Sequence, residues 1–215
     1  MGSPLTRGRF ITLEGGEGAG KSTQAGLLVD GLRKAGLRPL RTREPGGAPG
    51  AEEIRKLLVE GLPQRWDAEA EALLMVAARR VHLVETIWPA LERGEWVVSD
   101  RFADSTTAYQ GYGRGLPQET LRALHKLIAG EFKPDLSIIL DLPVDTGLSR
   151  AATRPGAETR FERMDPEFHR RLRQGFLEIA RAEPHRCVVI DATGDIGSVQ
   201  AAIRAAVHAR LGIAL

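Results

Sequence analysis

Short apolar runs alternate along the chain with longer stretches of helical period. The runs Phe10–Leu13, Pro39–Thr42, Trp96–Ser99, Leu136–Leu140 and Cys187–Ile190 predict strands, because their length and residue types suit a strand better than a helix. Between them, apolar positions recurring every three or four residues predict helices at about Ser22–Ala35, Ala51–Glu60, Ala68–Glu92, Pro117–Ala129, Val144–Arg154, Pro166–Ala182 and Ile196–Leu211. Strands that alternate with helices in this way predict an α/β fold with a mostly parallel sheet. The segment Thr153–Met164 interrupts the pattern with charge, Pro and Gly, and is expected to be a mobile lid loop. No internal repeat or low-complexity tract is present.

Bulk properties narrow this only a little. A chain of 215 residues, 42% hydrophobic and 27% charged, is expected to fold as a single domain spanning 1–215. The formal net charge of +2 is too small to mark a nucleic-acid binder. Arginine far outnumbers lysine and suits phosphate recognition, but a bias toward Arg and Ala explains most of the excess, so only arginines at motif positions count. The lone Cys187 excludes an intrachain disulfide, and no apolar run approaches the roughly 20 residues that cross a bilayer. No signal-peptide pattern precedes the first strand, so a cytoplasmic protein without membrane contact is expected. His82, His125, His169, His185 and His208 show no metal-ligand spacing with Cys187.

Chemistry concentrates where strands end. Glu14, Arg43-Glu44, Asp100-Arg101, Asp141 and Asp191 follow the apolar runs, and ligands of open α/β sheets bind at the carboxyl ends of strands, so these ends are expected to share one cleft. The strongest motif is Gly15-Gly16-Glu17-Gly18-Ala19-Gly20-Lys21-Ser22, a complete G-x-x-x-x-G-K-[ST] placed between a strand and a helix. In such a P-loop, small residues let backbone N–H groups curl around phosphate oxygens, and the positive end of the helix faces them. Lys21 then charges the β- and γ-phosphates of ATP, Ser22 can ligate Mg²⁺, and Thr23 sits in the first helical turn. Glu17 beside anionic phosphates is unfavourable unless aimed elsewhere, and is read as reaching a substrate hydroxyl.

A P-loop alone also fits a switch or a motor, so the acceptor rests on other residues. Asp100 can hold Mg²⁺ through water, and Arg101 can neutralise charge shared by donor and acceptor phosphates. Arg43-Glu44-Pro45-Gly46-Gly47 ends the second strand in a turn carrying both charges, and Arg55 faces the same cleft if its helix packs back over it. Ser105, Tyr109 and Gln110 lie in a short stretch of hydroxyls, an amide and phenols; Gln110 offers the donor and the acceptor that a pyrimidine edge requires. Arg150 and Arg154 share a helix face leading into the lid, and with Arg160 they are candidates for loop arginines closing on phosphate, against surface pairing with Glu158 and Glu162.

With these residues placed, the sequence resembles bacterial thymidylate kinases over essentially its whole length. The match runs through Glu14 to Thr23, Thr42-Arg43-Glu44-Pro45-Gly46-Gly47, Asp100-Arg101-Phe102, Ser105 and Ala108-Tyr109-Gln110-Gly111-Tyr112-Gly113-Arg114-Gly115. The resemblance implies the P-loop nucleoside monophosphate kinase fold: a five-stranded parallel sheet flanked by helices, a lid at about 153–164, and a homodimer packed through helices. It implies Glu17 near the nucleotide sugar, Arg101 near both phosphates, and Glu44 and Arg55 around the acceptor monophosphate. It places Arg79 on the thymine edge, Gln110 on the base's other polar side, and Tyr109 where it disfavours a ribose 2′-hydroxyl. Because the P-loop carries Glu17 and no arginine in its variable positions, the family's alternation of the two arrangements gives the catalytic arginine to the lid, at Arg154. One departure is Met75, which stands where relatives usually have a phenylalanine stacking on thymine; methionine still packs on a ring through its sulfur.

The expected reaction is in-line transfer of the ATP γ-phosphoryl to deoxythymidine monophosphate, with Lys21, Arg101, Mg²⁺ and the lid arginine stabilising charge. The alternatives are a kinase for another pyrimidine monophosphate, since one methyl group carries only about 1–3 kcal/mol of discrimination, and a nucleotide-switched binding module, which leaves the Ser105–Gln110 cluster unused.

Overall fold

The computed structural model describes residues 7–153 and 159–215. Each apolar run forms a strand: β1 (Phe10–Glu14), β2 (Pro39–Arg43), β3 (Trp96–Asp100), β4 (Leu136–Asp141) and β5 (Cys187–Asp191). They form one five-stranded sheet in the order β2-β3-β1-β4-β5, and every pairing is parallel. β3 therefore lies directly against the P-loop strand, with Leu13 opposite Asp100.

The helices are α1 (Lys21–Lys34), α2 (Pro49–Val59), α3 (Ala68–His82), α4 (Trp88–Glu92), α5 (Ala103–Thr106), α6 (Gln118–Ala129), α7 (Val144–Ala152), α8 (Thr159–Glu162), α9 (Pro166–Ala182) and α10 (Ile196–Leu211). Aspartates begin three of them: Asp67, Asp165 and Asp195 accept from the backbone N–H three residues on, each worth about 1 kcal/mol. Side chains alternate across the strands, so the two faces of the sheet bury different partners. Ile11, Leu13, Val98, Ile138 and Leu140 meet Leu28 and Leu32 of α1 and Ile203 and Val207 of α10. On the other face Phe10 and Val97 join Leu83, Ile87 and Phe102, while Ile139 joins Phe168, Leu172 and Phe176. A slip of one residue would exchange these faces, which is why the apolar pattern fixes the register.

The helix expected over Ala68–Glu92 is helical throughout but not uniform. α3 passes into α4 through a π-helical stretch, Leu83–Ile87, and a second, Thr107–Gly113, continues α5. The expected lid also differs from a plain loop. α7 ends at Ala152 rather than Arg154, and a one-turn helix, α8, forms at Thr159–Glu162; Arg154 and Glu158 lie outside the described residues. No helix among the described residues is long and apolar enough to cross a membrane.

Candidate active site

The turn from β1 to α1 is built on positive φ angles at Gly15, Gly18 and Gly20, of which Gly20 is the residue before α1. Two of these glycines also permit close approach. A Cβ on Gly15 would lie 2.5 Å from the Leu140 carbonyl oxygen, and one on Gly18 would lie 2.0 Å from that of Gly147 in α7. The loop thus curls with backbone rather than side chains, as an anion nest requires. Lys21 begins α1, is buried, and donates to the Gly16 carbonyl at 2.6 Å.

Asp100 ends β3, and the Ser22 hydroxyl donates to its Oδ2. Arg101 follows with φ 75°, a left-handed conformation that costs a non-glycine residue about 1–3 kcal/mol. Several bonds hold it there: its backbone N–H donates to Leu13 at 2.9 Å, and Ser99 Oγ donates to its carbonyl at 2.7 Å. The conformation swings the guanidinium back over the P-loop, where Nη1 donates to the Gly15 carbonyl at 2.9 Å and Nη2 to Glu17 Oε1 at 3.1 Å. Tyr109 lies under the guanidinium, 4.9 Å from carbon to ring centre, and its hydroxyl donates to Glu17.

These charges settle one another. Burial pushes the Glu17 carboxyl upward, but Arg101, Lys21 and the Tyr109 hydroxyl outweigh it and hold it at about 2. Burial lowers Lys21 most, the Arg101 guanidinium adds to this, and the nearby carboxylates pull back only in part, leaving it at about 8. Glu14 is fully buried and receives the Phe102 N–H at 2.8 Å and the Ser105 hydroxyl at 2.5 Å; burial, with Asp104 adding, raises it to about 8.

A second group of residues is equally ordered. Glu44 takes Arg79 Nε at 2.7 Å on Oε2 and faces His82 Nδ1 at 3.1 Å with Oε1, while Arg79 Nη2 donates to Thr106 Oγ1 at 2.8 Å. Arg79, Glu44 and His82 bury each other without leaving a charge unpaired. Arg55 does pack back over the cleft, donating to the Pro45 carbonyl at 2.5 Å across a cis Glu44–Pro45 bond.

Most of these residues line one cavity of about 410 Å³, while Glu14 and His82 are fully buried behind its wall. Its wall contains Glu17, Gly18, Gly20, Lys21, Ser22, Thr23, Glu44, Arg55, Met75, Arg79, Asp100, Arg101, Ser105, Tyr109, Gln110 and Arg150. Of the P-loop residues named from the sequence, Gly15 and Gly16 line a small hollow behind the loop and Ala19 is in the core. Arg150 reaches the wall while donating to the Ala192 carbonyl at 3.1 Å.

A thymidylate kinase family model matches residues 13–203. The chain belongs to the thymidylate kinase family. A thymidylate kinase of Caulobacter vibrioides is 54% identical over 209 residues, 97% of this chain and 100% of the relative. One from Rhodopseudomonas palustris is 55% identical over 208 residues, 95% of this chain and 90% of that relative. The crystal structure of thymidylate kinase from Ehrlichia chaffeensis superposes with a TM-score of 0.76 at 35% identity, covering 94% of this chain and 99% of that one.

Within this thymidylate kinase fold, some expectations need correction. Asp141 and Asp191 do not reach the cavity: β4 and β5 lie on the far side of β1, Asp141 is taken by Arg173 at 2.7 Å, and Asp191 bonds the Thr193 N–H at 2.9 Å. Arg160 is not a phosphate finger. Its guanidinium is 1% exposed and donates to the carbonyls of Leu58, Leu62 and Pro63 and to Glu71, because α8 packs down beside α2. Phe102, Thr106 and Phe161 line the cavity without having been assigned a role, Glu162, read from the sequence as a surface partner of the lid arginines, lines it too, and Glu71 stands behind it. The four-residue spacing of Glu71, Met75 and Arg79 on one helix is the signal by which Glu71 could have been found from the sequence.

Proposed function

We propose that this chain transfers the γ-phosphoryl group of ATP to deoxythymidine monophosphate, giving dTDP and ADP. The observation that carries the proposal is that Lys21, in its anion nest, and Arg101 open on the same cavity as Glu44, Arg79 and Gln110. Two nucleotides can therefore meet end to end with the charge-bearing groups at their junction. The P-loop backbone and the start of α1 bind the ATP phosphates, Lys21 charges the β- and γ-phosphates, and Arg101 bridges donor and acceptor. Glu17 fixes Arg101 and faces the sugar, Tyr109 crowds a ribose 2′-hydroxyl, and Glu44 and Arg55 order the acceptor phosphate. Arg79 and Gln110 take the base edge, with Met75 against its face. The acceptor phosphate is already ionised, so no general base is required, and rate comes from positioning and electrostatics. The family pattern gives the lid arginine to Arg154, with Arg150 on the ATP side.

Ser22 and Asp100 suit Mg²⁺, since they present two hard oxygen atoms side by side and leave other positions to water and phosphate. Bound there, the ion neutralises phosphate charge. The reading also takes the chain as a single cytoplasmic domain that acts as a homodimer.

A coupled ADP-release assay across nucleoside monophosphates tests the function. Deoxythymidine monophosphate is expected to be preferred; preference for deoxyuridine or cytidine monophosphate, or ADP release that no monophosphate accelerates, overturns it. Lys21→Ala and Arg101→Ala are each expected to lose roughly 10²-fold or more in turnover while remaining folded, and near-wild-type rates would remove that residue's role.

A further inference from the structure

The amide of Gln110 is not free to choose its orientation. Gln110 is 0% exposed and lines the cavity, and its Nε2 donates to Glu71 Oε1 at 2.7 Å. Glu71 is itself 1% exposed, and its other oxygen, Oε2, accepts from Arg160 Nη2 and from Arg114 Nη2 at 3.4 Å. Arg160 is locked in turn by three backbone carbonyls. A carboxylate between two guanidinium groups offers acceptors only, so the NH₂ group of Gln110 must face it. That leaves Gln110 Oε1, buried and without a hydrogen-bond partner among the described residues. An unpaired buried carbonyl is unfavourable until something brings it a donor.

Arg79 lines the same cavity and can only donate; its Nε and Nη2 are used by Glu44 and Thr106, which leaves Nη1 outside those bonds. The base end of the cavity thus combines one committed acceptor with one committed donor. A 4-oxo pyrimidine answers both, giving N3–H to Gln110 and O4 to Arg79. A 4-amino pyrimidine inverts the pattern, setting its N3 lone pair and amine against groups of like polarity.

We infer that Glu71 is a specificity-positioning residue: by fixing the amide of Gln110 through the Arg160–Glu71 pair, it sets the base pocket to take a 4-oxo and refuse a 4-amino pyrimidine nucleotide. This rests on the functional reading above. Under it, Arg160 serves the acceptor site from behind rather than the phosphates from the lid.

The test is kcat/KM for deoxythymidine and deoxycytidine monophosphates in the wild-type protein, Glu71→Gln and Gln110→Met. The amide in Glu71→Gln can donate as well as accept, so Gln110 is released to turn. The preference for deoxythymidine monophosphate is expected to shrink by about tenfold or more, with the KM for ATP unchanged. Gln110→Met removes both polar atoms at similar length and should shrink the ratio likewise, and an unchanged ratio there overturns the inference even if Glu71→Gln does not fold. A wild-type preference that survives in the folded variants, both substrates falling in parallel, overturns the inference and leaves Glu71 as a structural post. A wild-type protein with no preference for deoxythymidine monophosphate overturns the functional reading and this inference with it.

Discussion

Arg101 shows how a single residue converts sequence adjacency into a site. Its left-handed backbone would be relieved by glycine, yet glycine would discard the guanidinium that links Gly15 and Glu17. Strain held by surrounding bonds at such a position points to function. Lys21 carries the pH dependence. With its pKa drawn down to about 8, it loses its charge in the free protein at mildly alkaline pH. We expect kcat/KM for ATP to fall as pH rises through about 8, while kcat holds to higher pH because bound phosphates raise the lysine again. A kcat/KM profile flat across that window would remove the lysine from ATP binding. Stability moves the other way. The folded pKa lies below the ordinary 10.5, so between the two the unfolded chain binds more protons and the Lys21 contribution to stability rises with pH. The P-loop, Asp100-Arg101 and Ser105 were legible in the sequence, because each lies in a short motif or at a strand end where residue type alone is informative. Glu14 was legible as a strand end but not as the acceptor for Phe102 and Ser105, and Thr106 and His82, which hold Arg79 and Glu44, were not legible at all, since such pairings join different elements and follow no spacing.

At the scale of elements, two arrangements position the site. The π-helical stretch Thr107–Gly113 carries Tyr109 and Gln110, and its wider turns redirect side chains that a regular helix would place differently. The approach of α7 to the P-loop is the other. A Cβ on Gly147 would lie 2.4 Å from the Glu17 carbonyl oxygen, so two backbones, not flexible side chains, set that separation. Gly147→Ala must displace one of them. We expect roughly 10- to 100-fold loss in kcat/KM for ATP and overpacking of about 1–3 kcal/mol, read from kinetics and thermal unfolding. ATP kinetics equal to wild type would show that α7 does not constrain the loop. The helical period foretold a helix at α7, but a period says nothing of which turn must lack a side chain.

Across the whole molecule, the order β2-β3-β1-β4-β5 decides which strand ends share the cavity. β2 and β3 bring Glu44 and Asp100 to the P-loop side, and β4 and β5 carry Asp141 and Asp191 away. The outer surface bears on the proposed homodimer. Leu73 and Val84, eleven residues apart and so on one side of their helical stretch, are 57% and 45% exposed; Leu127 on the neighbouring α6 is 79% exposed. Arg80 ties the two helices by donating to the Ile128 carbonyl at 2.8 Å. Sedimentation is expected to give twice the chain mass, and Leu73→Glu with Val84→Glu to shift it toward monomer. A wild-type monomer at micromolar concentration would refute the dimer.

The sequence alone determined the strands, most of the helices and the phosphate-binding chemistry, because these depend on residue type and on periods of two or 3.6 that any neighbour respects. Tertiary structure alone decided which strand ends meet, which way Arg160 points, and that Glu71 commits the amide of Gln110. Those outcomes depend on contacts between residues far apart in the chain, such as Glu71–Gln110, 39 positions apart, and Arg160–Leu58, 102 apart. No local pattern encodes them, since they follow from how the layers close over the sheet.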